Sequence, residues 1–326
     1  MTSVEATAGP ELQLEAHRRE LTAYCYRMLA SAFEAEDAVQ ETMVRAWRSL
    51  DRFEGRSALR SWLYRIATNV CLDMLRGRER RARPMDFGPA QPFDAPLGGT
   101  LPEVSWVTPI PDGRVLPSGG DPADVAVSRD SIRLAFVAAL QHLPPRQRAV
   151  LILREVLAWK AGEVAELLET TEASVNSALQ RARATLAAND LADTDESKPM
   201  DDEQRALLDR YVDAFQRYDM SALTSLLHED ATQSMPPFEL WLSGRDDILG
   251  FWTGTGHECR NSRLIPTVAN GRPAFGQYKP SGPGGSYEPW ALQVLEVSDG
   301  RIVEFTFFLD TDTLFPLFGL PATPPS

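Results

Sequence analysis

Long apolar runs are missing from this chain. No stretch of 18 uncharged apolar residues occurs in its 326 positions, so the sequence offers no candidate membrane-spanning helix, and no membrane partner is expected. The first residues, MTSVEATAGPELQLE, have no basic start followed by an apolar stretch, so no secretion signal is expected. Cysteine is scarce. Cys25, Cys71 and Cys259 lie far apart without CxxC spacing, and three cannot all pair. They read as buried thiols in a reducing cytoplasm rather than as a metal or redox set. No cofactor and no metal are expected.

Positive charge is also short overall, with a net charge of −13. That total argues against nucleic acid as a partner until the charge is placed along the chain. Residues 191–326 carry 21 acids and 10 bases, whereas residues 41–83 hold 11 arginines against 5 acids, a local net of +6. A phosphate backbone senses charge over about 8–10 Å, so the local stripe matters more than the total. Apolar content of 43% and charged content of 24% are ordinary for folded protein with room for two or three domains.

Residues 11–83 read as almost wholly helical. Ser31-Ala-Phe-Glu34 fits a capping box. Ala35, Ala38, Val39, Thr42, Met43, Ala46, Trp47 and Leu50 then make one mostly apolar helix face, with Asp37, Gln40, Glu41 and Arg45 opposite. After a break at Arg52–Ser57, a second helix runs from about Ala58 to 80. Leu59, Trp62, Leu63, Ile66, Ala67, Val70, Cys71, Met74 and Leu75 face inward, and Trp62 reads as core. Asn69, Asp73, Arg76 and Arg80 recur on one polar face, and Arg78, Arg81 and Arg83 add charge at its end. Such residues suit DNA edges and phosphates. They equally suit a solvated face ending in cations at the negative end of the helix dipole.

Residues 84–127 are rich in Pro and Gly without periodicity and read as a flexible linker. Residues 128–188 are helical again. Leu134–Leu140 forms one amphipathic helix, and Pro-Pro-Arg starts another at its first turn. Ala161–Leu168, a break at Glu169–Thr171 and a helix from Glu172 to Leu186 describe a helix-turn-helix. Ser174, Asn176, Ser177, Gln180, Arg181 and Arg183 fall outside its packing face and suit a major groove. Residues 189–200 form an acidic linker. Residues 201–326 pass from helices to alternating strands, with Asp299-Gly300 as a hairpin turn, which indicates an α+β domain. The apolar closing run FFLDTDTLFPLFGLP is expected to pack back onto the sheet or the helical segments.

The run AEDAVQETMVRAWRSLDRFEGRSALRSWLYRIATNVCLDMLRGRERR resembles region 2 of extracytoplasmic-function sigma factors of the sigma-70 family. LPPRQRAVLILREVLAWKAGEVAELLETTEASVNSALQRARATL resembles their region 4. The C-terminal segment resembles the SnoaL-like branch of the nuclear-transport-factor-2 superfamily, a curved sheet wrapped on helices around a cone-shaped pocket. The implied architecture is multidomain: two all-α sigma domains at 11–83 and 128–188, and an α+β cone at 201–326.

The resemblance implies a promoter-specific initiation factor. Asp37, Gln40, Glu41 and Arg45 would bind the β′ clamp helices of core RNA polymerase. Phe53, Asn69, Asp73, Arg76 and Arg80 would act at the −10 element, and Ser174, Asn176, Ser177, Gln180, Arg181 and Arg183 at the −35 element, with region 4 on the β flap. Phe53 either stacks on an extruded base or plugs the fold under its loop. The family usually has a basic residue where this chain has Asn176, and often another at Ala178, which implies weak −35 binding. In the family the linker threads near the active-site and RNA-exit channels.

The cone is expected to modulate the factor, with a pocket at Met235, Trp241, Trp252, His257 and Trp290 that takes a small ligand. Some relatives of that fold are isomerases or cyclases, which makes His228, Asp230, His257 and Arg263 candidates for chemistry, but no catalytic residue is assigned. The competing whole-chain reading is a ligand-responsive helix-turn-helix regulator. That reading needs no polymerase-binding face and leaves the basic stripe without a purpose.

Overall fold

The computed structural model describes residues 10–50, 53, 58–117, 119, 121–188 and 201–325. The expected acidic linker at 189–200, and the break at 52–57 apart from Phe53, lie outside these residues. Two compact units result. Residues 10–81 and 113–188 form a helical unit, and residues 82–112 join residues 201–325 in an α+β unit. Among the described residues no helix is long and apolar enough to cross a membrane, and no cluster of three or more His, Cys, Asp or Glu side chains could hold a metal ion.

The helical unit opens with α1 (Pro10–Glu15), α2 (Arg18–Leu29), α3 (Ala32–Ser49) and α4 (Leu59–Met74). The Ser31 hydroxyl accepts the Glu34 N–H at 3.3 Å and starts α3. Only half of the expected capping box forms, because the Glu34 carboxylate pairs instead with Arg78 and, at 3.1 Å, with Arg81. Tyr24, Tyr26, Leu63 and Tyr64 are fully buried, and the Tyr24 ring on α2 meets the Tyr64 ring on α4 at 5.2 Å. The Tyr24 hydroxyl and the Thr68 hydroxyl meet at 2.7 Å, so the buried phenol keeps a partner. Cys25 and Cys71 are buried free thiols and Cys259 is half-buried.

Short helices α5 (Asp112–Val115), α6 (Pro122–Asp130), α7 (Leu134–Gln141) and α8 (Pro145–Leu151) lead to a five-residue π-turn at Ile152–Val156, then α9 (Ala161–Leu167) and α10 (Glu172–Ala188). Two buried arginines tie this half to the first. The Arg148 guanidinium donates to the carbonyls of Met28, Gln141 and Leu143, which lie at or just beyond the C-terminal ends of α2 and α7. Arg27 donates to the carbonyl and hydroxyl of Ser131, the C-cap of α6. Burial lowers both guanidinium pKa values to about 10. Helix C-termini carry partial negative charge, which offsets the desolvation of a cation without a carboxylate.

The second unit holds α11 (Asp202–Arg217), α12 (Met220–Leu226), β1 (Leu227–Ser234), β2 (Trp241–Ser243), α13 (Arg245–Thr253), β3 (Arg263–Ala269), β4 (Arg272–Lys279), β5 (Glu288–Ser298), β6 (Arg301–Phe308) and α14 (Thr311–Leu317). The strand order is β2-β1-β6-β5-β4-β3, antiparallel except for the β1–β6 pair. Asp299 and Gly300 both take positive φ in the β5–β6 hairpin, as do Asn270 and Gly271 between β3 and β4. Two positive φ values define a type I′ turn, which suits the strand twist. Leu207, Tyr211, Phe215 and Phe305 fill the space between α11 and the sheet. The closing run packs back on the sheet: Phe315 lies 5.2 Å from Tyr278, and Leu320 rests where a Cβ on Gly276 would sit.

Residues 84–127 do not form one loose connector. Residues 82–112 strap onto the α+β unit, and 113–130 belong with the helices. The strap is held by backbone groups that composition does not reveal. Gln91 N–H donates to Trp241 O at 2.9 Å, Leu101 N–H to Pro237 O at 2.9 Å, and Asn270 N–H to Ile110 O at 3.1 Å.

Candidate functional sites

Three exposed faces and one cavity collect the residues singled out in the sequence. On α3, Ala35, Ala38, Val39, Thr42, Met43 and Ala46 are buried, and Asp37, Gln40, Glu41 and Arg45 are exposed. Trp47 departs from the expected inward position and is 61% exposed. The reason is helical precession. Each i+4 step rotates about 40° beyond a full turn, so exposure climbs along Ala35 (0%), Val39 (1%), Met43 (8%) and Trp47 (61%). Trp47 and the exposed Val44 therefore join Asp37, Gln40 and Glu41 on the solvent side of α3. Apolar anchors rimmed by carboxylates are a docking chemistry, because exposed indole is worth burying and the acids orient a basic partner. Arg45 sits at the edge, bonded to Glu41 at 2.6 Å and 4.0 Å from Asp73.

The basic stripe is less continuous than expected. α4 ends at Met74 rather than near 80, because Gly77 adopts φ +70° and turns the chain. Asn69 and Asp73 share an exposed face of α4. Arg76 lies in the turn beyond it, 3.3 Å from Asp73. Arg80 lies further out, 2.8 Å from His142 Nε2. These four do not share one helix face. Arg81 is buried against Glu34, and Arg83 pairs with Glu304 at 3.5 Å, so neither extends the stripe. The Phe53 ring lies 5.0 Å from that of Trp62, and both are half-buried, so Trp62 is not the full core residue expected.

α9 and α10 form the helix-turn-helix. Glu169 takes φ +52° in the turn, and the Thr171 hydroxyl accepts the Ser174 N–H at 3.2 Å. Gly162 admits the Glu172 carboxylate, which would sit 3.0 Å from a Cβ there. Val175, Leu179 and Ala182 pack inward. Ser174, Asn176, Ser177, Gln180, Arg181 and Arg183 are all exposed. Arg183 is bonded to Glu155 at 2.5 Å, so one of the two arginines on this face is already engaged. A polar face with so few cations offers little grip on phosphates.

The α+β unit encloses a cavity of about 220 Å³, lined by Met235, Trp252 and Trp290 among others. Two expected lining residues are elsewhere. Trp241 lies on edge strand β2 with its indole N–H on Gly88 O at 2.9 Å, and His257 is exposed beside Gly254 O. Sequence reading missed Gln233, Tyr218, Cys259 and Leu97 in the lining. Gln233 was findable, because it shares strand parity with Ala231 and Met235. Leu97 belongs to the strap and left no signal.

Gln233 Oε1 accepts the Trp252 indole N–H at 2.7 Å, while its amide N–H has only the Met235 sulfur, at 3.7 Å. Burial pushes the Cys259 thiol and the Tyr218 phenol above their ordinary values, so both stay protonated. Behind the cavity runs a polar chain. Tyr211 donates to Gln293 (2.7 Å), Gln293 to Gln277 (2.8 Å), and Gln277 to Ser262 (3.0 Å). His228, Asp230, His257 and Arg263 are not among the lining residues, and the carboxylate that reaches the cavity is that of Glu258, exposed and 3.2 Å from Lys279 Nζ.

Comparison with known proteins is consistent along the whole chain. The family model for sigma-70 region 2 matches residues 14–81, that for sigma-70 region 4 matches 133–186, and that for a SnoaL-like domain matches 208–305. The chain is 46% identical over 315 residues to the ECF RNA polymerase sigma factor SigG of Mycobacterium tuberculosis, spanning 94% of this chain and 82% of that protein. It is 30% identical over 220 residues to ECF RNA polymerase sigma factor SigJ of the same species, spanning 68% and 62%. The crystal structure of M. tuberculosis SigJ shares its fold, with a TM-score of 0.60 at 24% identity over 96% of this chain and 99% of that one.

Proposed function

The chain belongs to the ECF RNA polymerase sigma factors, and from that premise we propose how its surfaces divide the work. As a sigma factor it binds core polymerase and directs initiation at promoters. Its relatives are initiation factors rather than enzymes. The α3 face of Asp37, Gln40, Glu41 and Trp47 docks on the β′ clamp helices, with Arg45 at its rim. Asn69, Asp73, Arg76 and Arg80 act at the −10 element with Phe53, and the exposed face of α10 reads the −35 element while region 4 rests on the β flap.

The observation that carries this reading is the 61% exposed Trp47 on the solvent side of α3, the side that also carries Asp37 and Glu41. Each DNA contact can be weak, because polymerase holds both units at high effective concentration. Such a factor works in the cytoplasm. The cone takes a small ligand and tunes promoter output, a reading supported by its aromatic-lined cavity.

Core-polymerase pull-down followed by run-off transcription, with the full chain and with a chain ending before residue 201, tests both parts. Promoter-specific transcripts that change in amount on truncation are expected. Failure of both proteins to bind core overturns the docking assignment, and unchanged output overturns the modulatory one.

A further inference from the structure

The cavity wall is not made by the α+β domain alone. Leu97, which lies in the connector between the two DNA-reading regions, lines it beside Met235, Trp252 and Leu309. The connector is pinned on both sides of that residue. On one side Gln91 N–H reaches Trp241 O, Gly88 O receives the Trp241 indole, and the Phe93 ring covers Gly250 so closely that a Cβ there would sit 2.7 Å away. On the other side Leu101 N–H reaches Pro237 O. Between these pins only Ala95 and Leu97 pack on the core, and Gly98 follows at φ +73°. A short arch held at two ends, with one apolar side chain turned into a cavity and a glycine beside it, has the construction of a lid.

We infer that residues 88–101 are the lid of this cavity, and that a small neutral, mainly apolar ligand seated inside holds the lid, and with it the connector, against the cone. This rests on the reading of the cone as a ligand-taking domain. The ligand class follows from the lining. Glu258, the charged lining residue, is exposed and paired with Lys279 at 3.2 Å. Cys259 stays a neutral thiol, and the Gln233 amide N–H has only a sulfur acceptor. An ion would lose its hydration without a counter-charge, whereas one oxygen acceptor would satisfy Gln233. A cavity of about 150 Å³ accepts benzene, so 220 Å³ suits roughly one or two fused rings. A ligand touching Leu97 gains that contact only while the lid is seated. By linkage it must therefore favour the seated state.

The test uses the full chain and 1-naphthol, a neutral fused-ring probe with one oxygen, with 1-naphthoate as its charged counterpart. Calorimetry measures binding, and hydrogen exchange follows the amides of Gln91 and Leu101. Binding of 1-naphthol but not 1-naphthoate is expected, with exchange at both amides slowed severalfold. Leu97→Ala is expected to weaken binding about three- to tenfold, whereas Val127→Ala, on an exposed position of α6, leaves it unchanged. If 1-naphthol binds while exchange at both amides stays the same, the lid is overturned and the ligand-taking cone survives. If neither probe binds at millimolar concentration, the ligand-taking reading falls, and the lid with it. Equal binding of both probes overturns the assignment of a neutral ligand. The wild-type exchange measurement needs no variant, so a poorly folding Leu97→Ala chain does not block the decision.

Discussion

The Trp159 indole lies 5.1 Å from the Tyr64 ring, and the Arg60 guanidinium covers both. Tyr64 is on α4, the region 2 helix proposed to act at the −10 element. Trp159 precedes α9, the first helix of the region 4 helix-turn-helix. The two sigma regions are therefore closed on one another, and Arg65 adds a bond to Glu166 O at 3.2 Å. On the proposed assignment of α4 and α10 to two promoter elements about two helical turns apart, the two regions must separate. Trp159→Ala removes a buried aromatic and is expected to cost about 3–5 kcal/mol of stability in this unit. It should also raise affinity for core polymerase, because less closed packing must be undone. Urea unfolding and a core-binding titration check the two effects, and weaker core binding by a folded variant would count against the closed state as a restraint.

On α3 the proposed docking face and the buried face are made of different residues. Asp37→Lys and Trp47→Ala change exposed side chains, so stability should move by no more than about 0.5 kcal/mol. Core-polymerase affinity should fall at least about tenfold for each, the range of interface anchor residues. Met43→Ala is the contrast, because it lowers stability first.

Asn176 stands exposed on α10, on the face proposed to read the −35 element. Asn176→Arg should tighten binding to −35 duplexes of any sequence and steepen the dependence of log K on log salt by about one unit. A fluorescence anisotropy series at several salt concentrations reads the slope. An unchanged slope means that this position does not face the backbone.

Gln277 links Gln293 to Ser262 in the buried chain behind the cavity. Gln277→Leu conserves bulk but strands a buried amide N–H. A loss of about 1–3 kcal/mol is expected in the α+β unit, measured by urea unfolding with exchange to localise it. A neutral result would mean that water or a rotamer change restores the partner.

Alkaline pH should separate the two units. Burial holds the Tyr211 phenol well above its ordinary value and pushes Tyr278 to about 12. Their contribution is intact below the unfolded value of about 10. It is lost as pH rises from there towards the folded values, since the unfolded chain ionises first. The helical unit carries similarly raised Tyr24 and Tyr64, but also Arg27 and Arg148, lowered to about 10. Between about 10 and the ordinary arginine value above it, the unfolded chain binds more protons at these two sites, which adds stability to the folded unit as pH rises. The α+β unit should therefore open first between pH 10 and 11.5, as read by pulsed hydrogen exchange, and the reverse order would contradict this balance.

Much of the fold was legible because it is local. Ser31 caps α3, Pro145 starts α8, and Asp299-Gly300 turns the β5–β6 hairpin through bonds between near neighbours. The apolar faces of α3, α4 and α10 follow from a helical period that any stretch of the sequence displays. Twelve of the fifteen DNA- and polymerase-directed residues lie on the faces of α3, α4 and α10 opposite to those cores, and all twelve are exposed. They are Asp37, Gln40, Glu41, Arg45, Asn69, Asp73, Ser174, Asn176, Ser177, Gln180, Arg181 and Arg183.

Errors fell where periodicity drifts or stops. Trp47 rotates out of the buried arc one step at a time, and Gly77 ends α4 before Arg80 can share its face. The sequence by itself determined the helices, the hairpin and the chemistry of each outward face, since these depend on contacts a few residues apart. Tertiary structure decided which charges stay free, what lines the cavity and where the connector lies. Arg81 is spent on Glu34, Arg83 on Glu304, and Leu97 reaches the cavity through backbone bonds to Trp241 and Pro237. Backbone donors and acceptors look alike at every position, so only the assembled fold reveals which pairs meet.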